Sequence, residues 1–133
     1  MAPALRVVVA DDSPAVRHLL TRTLEAEPDI RVVRAVGDGA AAVDATVTLR
    51  PDVLTLDLDM PGGGGLAVLE RVMAEAPLPV VLITGVSRAA AGMTERALEG
   101  GAVDFILKYT PGRRSSASAI RREIGRASCR ERV

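Results

Sequence analysis

Residues 51–65 read PDVLTLDLDMPGGGG, and the fold follows from how this stretch is divided. Val53 to Leu56 is a short, mostly apolar run behind Pro51, closed by the acid Asp57. That pattern predicts a strand covered on both faces, as strands of parallel sheets are. Met60-Pro61 and the glycines Gly62 to Gly65 then interrupt the chain. Leu66, Leu69, Val72 and Met73 recur at helical spacing until Pro77, so the unit is strand, acid, turn, helix.

The same unit repeats on either side. Leu5–Ala10 is an apolar run ending in Asp11-Asp12; Ser13-Pro14 supplies a helix cap and a first-turn proline, and Val16, Leu19, Leu20 and Leu24 mark a helix that stops before Pro28. Ile30–Val36 predicts a second strand, Gly37-Asp38-Gly39 a turn, and Ala40, Val43 and Val47 a second helix. Pro79–Ile83 predicts the fourth strand, ending at Thr84. Ser87–Leu98 is an Ala-rich helical stretch halted by Gly100-Gly101, and Val103–Leu107 predicts a fifth strand ending at Lys108. Short connections between alternating strands and helices predict an α/β fold with a doubly wound, five-stranded parallel sheet. Ligands of such sheets bind beyond the carboxyl ends of the strands. Asp11, Asp12, Asp57, Thr84 and Lys108 are all expected there.

Composition agrees with one domain of this class. The chain has 133 residues, 48% of them apolar but only 2% aromatic, so its core is built from branched aliphatic side chains. No run approaches the roughly 18 apolar residues of a membrane span, and Met1 to Arg6 lacks a signal-peptide pattern, so a cytoplasmic location without membrane contact is expected. The zero formal charge hides an asymmetry: residues 1–112 carry a net −5 and residues 113–133 a net +5. The lone Cys129 rules out an internal disulfide and carries no metal-ligand spacing.

As a set these motifs resemble the receiver domain of bacterial response regulators, over about residues 4–109, with the flavodoxin-like receiver fold that this implies. The resemblance implies Mg²⁺ as cofactor, held by Asp12 directly, by Asp11 through water, by Asp57 and by the backbone carbonyl of Asp59. It implies that Asp57 accepts the phosphoryl group, that Thr84 binds it by its hydroxyl, and that Lys108, the only lysine in the chain, pairs with it. Thr84 and Phe105 take the switch positions. VVVADDSPAVRHLL, PDVLTLDLDMP, PLPVVLIT and RALEGGAVDF are most similar to the receiver half of chemotaxis protein-glutamate methylesterases. A histidine kinase is the implied phosphodonor, and the implied output is a methylesterase domain for which this chain has no room, so the chain itself is not expected to be an enzyme. Two departures stand out: Lys108 is followed by Tyr109 where the family has proline, which predicts a trans peptide, and Gly63-Gly64 replaces a bulkier pair, which predicts a looser start to the third helix.

The chemistry suits the residues. A carboxylate forms a reactive acyl phosphate, and phosphoryl transfer needs in-line positioning and neutralised oxygens. Three gathered acids repel one another, and all-oxygen ligands favour a hard cation such as Mg²⁺. A stand-alone receiver remains an alternative. So does an aspartyl-phosphate phosphatase, since Asp57-Leu58-Asp59 has the DxD form, although Pro61 stands where that class carries a hydroxyl or Val.

Three segments are expected: a receiver at 1–110, a remnant of linker or fifth helix at 111–122, and a tail at 123–133. Glu123 to Val133, EIGRASCRERV, can be back-translated to a string that looks like a widely used sequencing-library adaptor read in frame, so a read-through tail is expected in place of a natural basic one. On that reading the basic tail is not a nucleic-acid-binding element, and no nucleic-acid partner is expected.

Overall fold

In the computed structural model, which describes residues 4–60, 64–84, 95–102 and 104–107, Val53–Leu56 is strand β3 at the middle of a five-stranded parallel sheet. Around it lie β1 (Leu5–Ala10), β2 (Ile30–Val36), β4 (Val80–Thr84) and β5 (Asp104–Leu107), alternating with helices α1 (Pro14–Glu25), α2 (Gly39–Leu49) and α3 (Gly64–Glu75). Residues 95–99 are also helical. The spatial order is β2-β1-β3-β4-β5, the doubly wound order expected, and its direction reverses between β1 and β3. The 111–122 remnant, the 123–133 tail and the Lys108-Tyr109 peptide lie outside the described residues, as does most of the Ser87–Leu98 helix.

Strand alternation divides the core into two layers. Val8, Ala10, Leu54, Leu56, Val80 and Leu82 face α2 and α3, meeting Ala42, Val43, Val68, Leu69 and Val72. Val7, Val9, Val53, Val81 and Ile83 face the other way, toward Leu20 and Leu24 of α1. All four residues of β3 are buried, so this strand carries apolar surface on both sides. Its one exception is Thr55, which pairs in register with Val9 and Val81. Its hydroxyl is buried and has no hydrogen-bond partner among the described residues.

The ends of the helices have identifiable chemistry. Ser13 caps α1, its hydroxyl accepting from the Val16 N–H at 3.3 Å ahead of Pro14. Asp38, read from sequence as part of a turn, also caps α2 by accepting from the Ala41 N–H at 2.8 Å. Helix α2 ends on Arg50 in the left-handed region, φ 48°, where glycine is usual and a side chain costs about 1 kcal/mol. Arg6 offsets this from β1. Its guanidinium donates to the Leu49 and Arg50 carbonyls at 2.8 and 3.0 Å, satisfying acceptors at the negative end of the helix. At the start of α3, Gly64 sits at φ +73°, a conformation that glycine alone adopts without strain, while Gly63 lies outside the described residues.

β2 departs from simple pairing. Val7 pairs with Val32 but Val8 with Arg34, leaving Val33 as the extra residue of a β-bulge. The bulge turns Val36 onto the α2 face beside Ala10, while Val32 stays on the α1 face.

Two stability outcomes follow from these contacts. Thr55→Val, which removes a buried hydroxyl without a partner and keeps the shape, should raise stability by about 1–2 kcal/mol in urea denaturation. Arg6→Ala should lower it by about 1–2 kcal/mol, because the α2 carbonyls lose their charged donor.

Candidate functional site

The acids enter the site on extensions of the sheet ladder. The Asp57 N–H donates to the Ala10 carbonyl at 2.9 Å, one step beyond the β1–β3 pairing, and the Asp11 N–H donates to the Val36 carbonyl at 3.0 Å, one step beyond β1–β2. Both side chains therefore start from backbone as well held as the strands themselves. They emerge on either side of the β1/β3 reversal, where a doubly wound sheet opens a crevice.

Asp11, Asp12 and Asp57 converge there, each with a carboxylate oxygen within 4.8 Å of the others. Asp11 and Asp57 are buried, each 1% exposed, while Asp12 is open to solvent. Local donors fix the buried pair: Asp11 Oδ1 accepts from the Ser13 N–H at 3.0 Å, and Asp57 Oδ1 from the Asp59 N–H at 3.1 Å. These are turns closed by an aspartate side chain onto the backbone two residues later. They hold one oxygen of each carboxylate and orient the other.

At a separation near 5 Å, two such charges repel by about 3 kcal/mol at an effective dielectric near 20. One compact cation held by these oxygens would offset that cost. The donor set is oxygen alone, partly buried and with one member facing water, which fits a hydrated hard divalent ion such as Mg²⁺ better than a thiophilic metal. Asp59 is exposed and continues the turn after Asp57, so its backbone carbonyl belongs to the same loop.

The site is closed below by α3. The Gly65 N–H donates to the Leu58 carbonyl at 3.0 Å, and a Cβ at Gly65 would stand 2.6 Å from the Leu58 Cα and 2.7 Å from the Asp57 carbonyl oxygen. No side chain fits there without moving the loop that carries Asp57.

Thr84 is the last residue of β4, one position further along than read from sequence, and pairs with Leu107 of β5. Its backbone thus reaches the same carboxyl edge as Asp57. Phe105 lies within β5, in register with Leu82. Lys108 lies outside the described residues.

One group near the acids was not singled out in the sequence: Arg17, whose guanidinium donates to the Asp11 carbonyl at 2.8 Å. Its signal was available, since a cation close to a helix N-terminus opposes the helix dipole and calls for an acceptor.

Residues 7–117 match the family model described as the response regulator receiver domain. The protein-glutamate methylesterase/protein-glutamine glutaminase of Nitrosomonas europaea is 42% identical over 120 residues, covering 90% of this chain and 34% of that protein. The protein of the same name from Caldanaerobacter subterraneus subsp. tengcongensis is 47% identical over 108 residues, covering 81% and 29%. This chain therefore spans about a third of the length of the curated relatives it matches. Among solved structures, the response regulator domain of Thermotoga maritima CheB superposes with a TM-score of 0.85 at 34% identity, covering 94% of this chain and 96% of that one. The receiver domain of NarL from Mycobacterium tuberculosis gives 0.84 at 33% identity, covering 96% and 98%.

Gly65→Ala should cost at least about 2 kcal/mol, because the added methyl meets backbone on two sides. It should also displace the Asp57 and Leu58 amide resonances, whereas the equally conservative Ala67→Gly on the exposed face of α3 should leave those resonances in place.

Proposed function

We propose, for a chain that belongs to the response regulator receiver family, that Asp57 takes a phosphoryl group from a phosphohistidine of a histidine kinase. The observation that carries this reading is the meeting of three carboxylates at the β1/β3 reversal, two of them buried. A buried pair of like charges is tolerated where a cation and a substrate use them.

In this mechanism a carboxylate oxygen of Asp57 attacks phosphorus, the phosphorus–nitrogen bond breaks, and its electron pair returns to the imidazole. The Asp59 N–H, already on Asp57 Oδ1, holds the carboxylate so that its other oxygen is the nucleophile. Asp11 and Asp12, with Asp57 and the Asp59 carbonyl, would hold Mg²⁺, which would offset negative charge gathering on the phosphoryl oxygens. Thr84 donates its hydroxyl to the transferred group and Lys108 pairs with it. Movement of Thr84 toward the phosphoryl group then makes room for Phe105 and changes the surface beside β4 and β5.

Within a longer parent protein, this surface restrains a methylesterase domain of the kind that the relatives' names describe. The parent acts in the cytoplasm, and residues 123–133 belong to read-through into adaptor rather than to the parent gene. The exposed position of Asp59, and its use of backbone rather than side chain toward Asp57, supports the receiver reading over a DxD phosphatase.

Incubation with Mg²⁺ and acetyl phosphate should add one phosphate per chain by intact mass, lasting seconds or longer. Asp57→Asn should abolish the addition. Mg²⁺ at a hundredfold excess over its dissociation constant should stabilise the fold by about 2.7 kcal/mol, and Asp12→Ala should remove that gain. A wild-type chain indifferent to both reagents would overturn the proposal.

A further inference from the structure

Arg17 is the one cation among the described residues that reaches the acid-bearing loop, yet it forms no ion pair with a described carboxylate. Its guanidinium instead donates to the backbone carbonyl of Asp11 at 2.8 Å. Its Nη1 end also closes on the next loop: a Cβ on Gly37 would sit 2.7 Å from Nη1 and 3.4 Å from the guanidinium carbon. Arg17 is half-buried and reaches from α1 to the loop between β2 and α2. The Asp11 backbone is thus gripped at both ends, its N–H by the Val36 carbonyl and its C=O by Arg17.

The peptide plane that Arg17 fixes is the one joining Asp11 to Asp12. Asp12 is exposed, and among the described residues no hydrogen bond steadies its carboxylate, so the direction of its side chain depends on that plane. We infer that Arg17 and Gly37 form a clasp whose function is to aim Asp12: Arg17 is a positioning residue for the cation site, and Gly37 is glycine so that the guanidinium can lie across it. This inference rests on the reading of the three acids as a Mg²⁺ site.

A positioning role and a charge role predict opposite signs. Removing a positive charge beside three carboxylates would by electrostatics alone tighten the binding of a dication. Losing the clasp weakens it, as the loss of outer-shell groups around metal ligands does, by roughly tenfold or more. Gly37→Ala separates the two further. It keeps the charge of Arg17 and meets only the tip of a flexible side chain, so the fold survives while the guanidinium is displaced.

The test uses the full chain and Mg²⁺ alone, by isothermal titration calorimetry, with the ¹⁵N amide resonance of Asp12 recorded in metal-free protein. Arg17→Ala and Gly37→Ala should each weaken Mg²⁺ binding about tenfold and move the Asp12 amide. Arg17→Lys, which keeps the charge without the planar fork, should recover only part of the affinity. Tighter binding in Arg17→Ala, or an unchanged dissociation constant in Gly37→Ala with lowered melting temperature alone, overturns the clasp. Failure of the wild type to bind Mg²⁺, with Asp12→Ala no different, overturns the metal reading instead. The metal-free Asp12 amide then decides the clasp by itself, and a resonance unmoved in both variants overturns it.

Discussion

Two buried carboxylates, Asp11 and Asp57, stand at the ends of adjacent parallel strands within 4.8 Å of each other, and much of the molecule answers to that repulsion. Water cannot screen them, so the protein must hold them by backbone donors and by geometry that admits a cation. The ladder is prolonged past β1 and β3 to pin both residues, and each side chain turns back onto an N–H two positions later. Rigidity elsewhere serves this arrangement. β3 is buried on both faces, Gly65 lets α3 approach until only a hydrogen would fit, and the core beneath is aliphatic and densely packed.

Much of this could be read from residue order. The bounds of β1, β2 and β3 coincide with the runs read from sequence, since acids and a glycine punctuate their ends: Asp11 follows β1, Gly37 follows β2 and Asp57 follows β3. The Ser13 cap and the first-turn proline were equally plain, because capping depends on local hydrogen bonding. The three acids could be assigned to one crevice because parallel strands all end on the same side.

What escaped was non-local. Nothing in Ile30–Val36 marks Val33 as the bulged residue, because the offset is set by the partner strand rather than by alternation within β2. Arg50 gave no sign of a left-handed cap, since its compensation comes from Arg6, more than forty residues earlier. Thr55 read as one more strand residue, and only packing reveals that its hydroxyl has no partner among the described residues. Arg17 belongs to the same class, its role defined by Gly37 on a loop that the sequence treats as a separate turn.

The irregularity in β2 has a consequence for how copies of this molecule meet. β2 is an edge strand, with Arg31 and Arg34 facing solvent. A second chain laid along it would fall out of step midway, where one extra residue interrupts the spacing of the free amide and carbonyl groups. It would also bring two fixed positive charges against whatever approached. That border of the sheet is thereby closed to continuation, and growth of a fibril or a continuous intermolecular sheet from it is blocked by shape and charge together.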